Sequence, residues 1–312
     1  MRLVATVGNS PLPVWLAIRT LEPSHVTAVV SEESVDRWRA VDDLLSSRGD
    51  PSERSMLPCM ADAEDPAAIR RFLSDQSPPE ADLGIVGGTN AMVVQTFAWW
   101  SANPANAQRT AWYCDAVSGE LVPVVGAAQT PARRVQMSSG MTFEELCSLH
   151  EEGLTMGPGR LARARDVNRW VSSGAIPPGD ADTVHGLRAR VMTACKAAAP
   201  TARLEHSRQL LSGNQLTMDS DVLAQVEHRL VVIGCCDSGS ISDVTYCLAA
   251  TAEKARRLGG DFAHAFVVST QHARALHLEQ ARWQLPWQTP ASVFGVDQLH
   301  MLGQAVTSAL GV

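Results

Sequence analysis

A chain of 312 residues with 45% hydrophobic and 19% charged side chains is long enough for two folding units, and it needs no disulfide framework or structural metal. Its formal net charge of −7 excludes a chain that is basic throughout and leaves only a local basic patch open. No apolar run reaches the roughly 20 residues that span a bilayer and no secretory leader is read at the start, while seven cysteines without zinc-ribbon spacing fit a reducing cytoplasm.

In chain order, the first third alternates strand and helix. Leu3–Val7 is a short apolar run ending at Gly8, as a buried parallel strand would. Pro11 and Pro13 precede a helix over Val14–Leu21, where a missing amide proton costs little. Val26–Val30 predicts a second strand and Ser34–Leu45 a second helix, with residues 48–66 a loop. Ile69–Leu73 is helical, Leu83–Val86 is a third strand ending in Gly87-Gly88-Thr89-Asn90, and Ala91–Trp100, apolar on every face, is expected to be buried. Thr110–Cys114 and Leu121–Val125 predict two strands joined by a turn. This alternation implies a mostly parallel sheet.

Residues 131–200 are expected to form a helical connector, with Thr142 and Glu145 as a capping box for a helix over Phe143–His150. Arg160, Arg163, Arg165, Arg169, Arg188, Arg190 and Lys196 concentrate positive charge there, and a solvated helix face is preferred to a nucleic-acid surface. From about 201 a second α/β unit is expected: helix 202–212, strands near 218–226 and 229–234, helix 242–258, strand 263–269, helix 271–283, a short strand at 292–296 and a last helix 297–310. The eight tryptophans are dispersed and are expected in cores or at a dimer interface.

Two strands thus end in polar glycine loops, Gly8-Asn9-Ser10 and Gly87-Gly88-Thr89-Asn90. In a parallel sheet such loops lie where ligands bind, glycine admits a close backbone, and helix N-termini present amides to anions. Either loop alone is most simply a turn. Together, Val7-Gly8-Asn9-Ser10-Pro11-Leu12-Pro13, Gly87-Gly88-Thr89-Asn90-Ala91-Met92 and Ala111-Trp112-Tyr113-Cys114-Asp115 resemble the CRISPR-associated Rossmann-fold (CARF) sensor domains over roughly residues 1–125. That resemblance implies a homodimer binding a cyclic oligoadenylate, with tetra-adenylate favoured, through Gly8, Asn9, Ser10, Gly87, Gly88, Thr89 and Asn90. A two-fold dimer suits a two-fold ring. Asn90 stands where the family usually has Lys, which removes a positive charge near the phosphates.

The second half carries a matching resemblance. Met218–Leu223, Arg229–Ile233, Lys254–Gly260 and Phe262–Ser269 look like the nuclease domain of the CARF-linked Can/Card nucleases, of the PD-(D/E)xK group. Such a domain implies Asp and Glu carboxylates on a divalent metal and a Lys that positions water. Asp221 takes the aspartate position and Glu205 an upstream acidic one, but Gly234-Cys235-Cys236 replaces Glu-x-Lys and Cys247 replaces a helix Lys.

The expected architecture is therefore α/β: a CARF-like domain over 1–130, a connector over 131–200, and a restriction-endonuclease-like domain over 201–312. The leading expectation is a cytoplasmic sensor whose second domain is weakened or inactive, with nucleic acid an allowed partner. Mg²⁺ or Mn²⁺ is needed only if that domain is active, with Asp221 and Asp219 as ligands and Asp237 nearby. Zinc on Cys235, Cys236, Cys247 and His206 or His228 is the weaker alternative, because adjacent cysteines chelate one tetrahedral ion poorly. Three rival functions stay open: a ligand-activated metal-dependent endonuclease with relocated groups, a ring nuclease that cuts its own cyclic oligoadenylate and, outside CRISPR, an ordinary nucleotide-binding Rossmann enzyme.

Overall fold

The computed structural model describes all residues except 116–117, 126–133, 138–139, 152–153, 161–163, 213–214, 239 and 273–289. The chain divides into two compact units, Met1–Gly140 and Met141–Val312.

In the first unit, strands β1 (Arg2–Thr6), β2 (His25–Val29), β3 (Glu53–Met56), β4 (Asp82–Ile85), β5 (Ala111–Asp115), β6 (Glu120–Val125) and β7 (Val135–Gln136) form one sheet in the order β3-β2-β1-β4-β5-β6-β7. The first five run parallel, and β6 and β7 are antiparallel additions. Helices α1 (Leu12–Leu21), α2 (Val35–Ser47), α3 (Pro66–Ser74) and α4 (Asn90–Ser101) connect the parallel strands. Leu3, Val4, Ala28 and Leu83 are buried, as the run-like apolar composition of a doubly covered sheet requires.

Two sequence expectations change here. The stretch read as a loop over 48–66 contains β3, which pairs in parallel with β2 from His25↔Glu53 to Ala28↔Met56. Its polar residues suit an edge position. Helix α4 is not buried all round: Met92, Thr96, Trp99 and Trp100 face the core, while Val94 is 59% exposed.

The second unit begins at Met141, so α5 (Phe143–His150), β8 (Leu154–Arg160), α6 (Ala164–Ser173) and α7 (Val184–Ala198) belong to it. The remaining elements are β9 (Arg203–Ser212), β10 (Gln215–Val226), β11 (Arg229–Cys236), α8 (Ile241–Gly259), β12 (Ala263–Ser269), β13 (Ala291–Gly295) and α9 (Leu299–Leu310). Their sheet has the order β13-β12-β11-β10-β9-β8, parallel from β11 to β13 and antiparallel from β8 to β11. Residues of α7 and α9, including Leu187, Val191, Leu302 and Val306, share a core with Val222, Val231 and Ile233. Another cluster joins Val244 and Leu248 of α8 to Cys236 and Val267.

The helix expected over 202–212 is instead strand β9. Its leucines have a spacing that a helix would also accept, but pairing with β10 from Gln225↔Arg203 to Gln215↔Ser212 decides the conformation. The helix expected over 271–283 falls mostly outside the described residues, as do Trp283 and Trp287, whereas the other six tryptophans are buried. The capping box of α5 is formed in both directions: Glu145 N–H donates to Thr142 Oγ1 at 3.2 Å, and Thr142 N–H donates to Glu145 Oε2 at 2.7 Å.

Candidate functional site

Strand order sets the place of the first site. β1 and β4 are adjacent and parallel, with Leu3↔Asp82 to Ala5↔Gly84 in register. The chain leaves β1 through α1 towards β2 on one side, and leaves β4 through α4 towards β5 on the other. Their carboxyl ends therefore flank the point where the winding reverses, which is where an open α/β sheet holds ligands.

The two glycine loops meet there. A Cβ on Gly8 would lie 2.3 Å from Gly88 N, and one on Gly87 would lie 2.6 Å from Gly8 N. The obstruction is backbone on both sides, so no side chain can swing away to make room. Gly88 has φ +96°, a left-handed conformation that favours glycine, and its Cβ would meet Met92 Sδ at 2.8 Å. The glycines thus let two loops pack backbone to backbone beside two helix N-termini.

The polar residues of these loops differ in how far they are engaged. Thr89 caps α4: its hydroxyl accepts from Met92 N–H at 3.1 Å and donates to the Ala63 carbonyl. Helix α1 has no side-chain cap, since Pro11 is its N-cap, so its first amides depend on other acceptors. Ser10 Oγ is buried without a hydrogen-bond partner among the described residues. Asn9 and Asn90 are exposed.

The second unit places the residues of the expected nuclease locus differently from a metal site. Asp221 is held twice: Oδ1 accepts from Arg188 Nη2, and Oδ2 accepts from Cys235 N–H at 2.8 Å. The β10–β11 register ends at Val222↔Ile233, so Asp221 takes the Cys235 amide just past the last ladder pair. Arg188 is 3% exposed, which corrects its assignment to a solvated helix face. Burial of a guanidinium requires a partner; besides Asp221 it donates to Ser207 Oγ at 2.9 Å. Ser207, with φ +53°, also lies 3.1 Å from His206 Nδ1, and His206 Nε2 is 2.7 Å from Asn168 Oδ1.

Glu205 lies elsewhere in the charge pattern, accepting from Arg208 Nε at 3.0 Å and pairing with Arg203 at 3.5 Å. Gly234, where the family's Glu is expected, has no room for a side chain. A Cβ there would meet Thr251 Oγ1 at 2.4 Å and Cys247 Sγ at 3.0 Å. Cys236 and Cys247, at the two expected Lys positions, belong to one cluster between β11 and α8. Asp219 pairs through its backbone with Gln209 on β9. No group of three or more His, Cys, Asp or Glu able to hold a metal occurs among the described residues. With Asp221 engaged by Arg188, Glu205 by Arg208 and Arg203, and no donor side chain on Gly234, these residues do not fit a divalent cation. His228 is buried against Phe262, ring centroids 5.0 Å apart, and burial pushes it down to about 4.

Sequence reasoning missed Arg188 as the partner of Asp221. The only available signal was its place among apolar neighbours, Leu187, Ala189 and Val191, all now buried.

No protein-family model matches the chain, and no curated protein matches it. Solved structures do. The crystal structure of protein VC1899 from Vibrio cholerae aligns over 100% of this chain and 99% of its own, with TM-score 0.71 and 13% identity. Can2 from Sulfobacillus thermosulfidooxidans, solved in complex with cyclic tetra-adenylate, aligns over 100% and 97%, with TM-score 0.68 and 12% identity. A type III CRISPR defence DNA nuclease activated by cyclic oligoadenylate aligns over 87% of this chain and 45% of its own, with TM-score 0.53 and 19% identity. This chain thus shares the α/β fold of VC1899 and Can2 over its whole length. No described helix is long and apolar enough to cross a membrane.

Proposed function

We propose that the chain is a type III CRISPR ancillary sensor that binds a cyclic oligoadenylate, tetra-adenylate favoured, and whose second unit does not cut nucleic acid. The observation that carries the sensing half is the backbone contact of Gly8 with Gly87 and Gly88 at the winding reversal. It brings two loop backbones and the uncapped start of α1 to one place, with the Ser10 hydroxyl, unpartnered among the described residues, beside them. Such a surface suits a phosphodiester ring: amides and hydroxyls take the phosphates, and glycines let the ring approach. Can2, which shares the fold over its whole length, was solved with such a ring bound. Gly8, Asn9, Ser10, Gly87, Gly88 and Asn90 are the proposed contacts, with Thr89 shaping α4's start.

A homodimer belongs to the same proposal. A two-fold ring needs two copies of one loop set, and Val94, Tyr113 and Val124 of the first unit are each at least half exposed. Inactivity of the second unit rests on Gly234, where even a Cβ would press on the Thr251 hydroxyl and the Cys247 thiol, and on Arg188, which already neutralises Asp221. The working compartment proposed for this sensor is the cytoplasm.

The test is a thermal shift with cyclic tri-, tetra- and hexa-adenylate, run beside a nuclease assay. Ligand that binds only the folded state raises apparent stability by mass action. Cyclic tetra-adenylate should give the largest shift, and DNA, RNA and the ring itself should stay intact with Mn²⁺ present. No shift with any ring sinks the sensor. Cleavage abolished by Asp221→Ala overturns the inactive second unit, and a linearised ring establishes ring-nuclease activity instead.

A further inference from the structure

The strongest unassigned chemistry in the molecule is the meeting of two thiols between β11 and α8. Cys236 ends β11 and Cys247 lies in the second turn of α8, and both belong to the small cluster formed with Val244, Leu248 and Val267. Cys247 Sγ lies 3.0 Å from the Cβ position of Gly234, which is two residues before Cys236 and on the same face of β11. Cys236 Sγ also approaches the Ser238 carbonyl at 3.9 Å. Cys235, one residue away, belongs to the other cluster, packed with Val191, Cys195 and Ile233. The sheet alternation therefore sends adjacent cysteines to opposite faces, and only one of them has a thiol partner. Cys235, Cys236 and Cys247 are free thiols.

The electrostatics of the pair separate its members. Hydrogen bonding from Cys247 and a backbone hydrogen bond at Ser238 bring the Cys236 thiol down to about 7, against the burial that opposes them. The same bond and burial push Cys247 up. Cys235 is driven well above the ordinary thiol range by burial. A thiolate available near neutral pH beside a second thiol is the arrangement that thiol–disulfide exchange uses: one sulfur attacks and the other resolves.

We propose that Cys236 and Cys247 form a redox-active dithiol that exchanges with a low-molecular-weight disulfide and closes into an intrachain disulfide joining β11 to α8. In the first step the Cys236 thiolate attacks one sulfur of R–S–S–R. A mixed disulfide forms, the external S–S bond breaks, and RS⁻ leaves to take up the proton that Cys236 lost. In the second step Cys247 gives up its proton and attacks Cys236 Sγ, expelling the second RS⁻, which takes that proton. Two cysteine thiols are oxidised, and one external disulfide is reduced to two thiols. This chemistry is independent of ligand sensing, and it occupies the two positions where a nuclease of this fold would carry lysines.

The test uses the full-length protein, oxidised glutathione as the probe, acid quenching, iodoacetamide and trypsin. Cys235, Cys236 and Cys247 fall in one tryptic peptide, Leu230 to Lys254, and contain all of its thiols. Oxidation should leave that peptide two hydrogens lighter, with a single alkyl group on Cys235. Cys59, which is exposed, should carry a glutathione adduct and report that the oxidant was active. Cys235→Ala should keep the disulfide, whereas Cys247→Ser should leave glutathione trapped on Cys236. In reduced protein, iodoacetamide should modify Cys236 with a midpoint near pH 7 and Cys59 only at higher pH, because burial and Glu32 raise the Cys59 thiol. Three alkyl groups on the peptide after oxidation, or a bond between Cys235 and Cys236, overturns the proposal. Both outcomes are read on the unmutated protein, so a variant that misfolds does not protect it.

Discussion

Gly8→Ala is the sharpest probe of the loop pair. Gly8 is outside the left-handed region, so alanine brings no backbone penalty, and the whole effect comes from contact. The new methyl would sit 2.3 Å from Gly88 N and 3.2 Å from both Gly87 C and Gly87 Cα. An ordinary contact needs about 3.5 Å or more, so the loops must part by roughly 1 Å. Overpacking of this kind costs about 1–3 kcal/mol, and a backbone obstruction puts the value towards the upper end. A loss of about 2 kcal/mol corresponds to roughly 4–8 °C in the Tm of a unit this size. The assay is thermal unfolding of wild type, Gly8→Ala and Gly179→Ala, each with and without cyclic tetra-adenylate. Gly179 has nothing within 4 Å of its Cβ position and no positive φ, so alanine there should be neutral or slightly stabilising. Gly8→Ala should lose both intrinsic stability and most of its ligand-dependent shift. A Gly8→Ala protein that melts with wild type and binds the ring unchanged refutes the loop contact and the site built on it.

Ser10→Ala separates ligand recognition from folding. Its buried hydroxyl has no partner among the described residues, so removal should leave the free protein's stability unchanged or raise it by up to about 1 kcal/mol, while the ring-induced shift shrinks. Arg188→Met leaves the partly buried Asp221 carboxylate with one amide partner. Breaking such a pair costs about 3–5 kcal/mol, and denaturant unfolding should show Arg188→Met with Asp221→Leu recovering much of what Arg188→Met loses alone. His228 has both ring nitrogens unpartnered among the described residues and is pushed down to about 4, chiefly by burial and secondarily by Arg229. Its folded-state value lies below the unfolded one, near 6.5, so its contribution is complete above pH 6.5 and is lost as pH falls towards 4, up to about 3 kcal/mol. Burial and Arg229 lower His264 as well, which adds loss in the same direction. Urea unfolding from pH 7 to pH 4.5 should show this slope, and His228→Phe should flatten it; an unchanged slope in that variant sinks the assignment.

Much of the fold was legible because its signals were local. The run Leu3–Val7 and the helix expected over 242–258 belong to short windows, and they end where β1 and α8 end in the structure, to within a residue. Thr142 and Glu145 specify their capping box within four residues. What the sequence could not express was long-range pairing. Arg203–Ser212 carries leucines that suit either element, and only β10 selects the strand. Glu53–Met56 reads as loop because its residues are polar, yet β2 supplies the edge it joins. The loops of the proposed site were visible as glycine turns. Their mutual contact was not, since Gly8 and Gly87 are far apart in the chain and only the β1–β4 pairing puts them together.

The same distinction governs how Asp221 should be interpreted. A lone aspartate at a family's metal-binding position looks like the remnant of catalysis, and its presence invites a search for relocated partners. In this molecule it has two other duties. One oxygen takes the Cys235 amide just past the last β10–β11 ladder pair, and the other neutralises a guanidinium that is almost wholly buried. Both duties would preserve an acidic residue at 221 without any metal. Each also opposes metal binding, because a cation would have to displace a positive charge already in contact and compete for oxygens already accepting hydrogen bonds. Gly234 narrows the remaining route: a second carboxylate introduced from β11 would have to displace the Thr251 hydroxyl and the Cys247 thiol packed against it. Restoring a Glu-x-Lys at 234–236 alone should therefore disturb the strand-to-helix packing before it restores any chemistry.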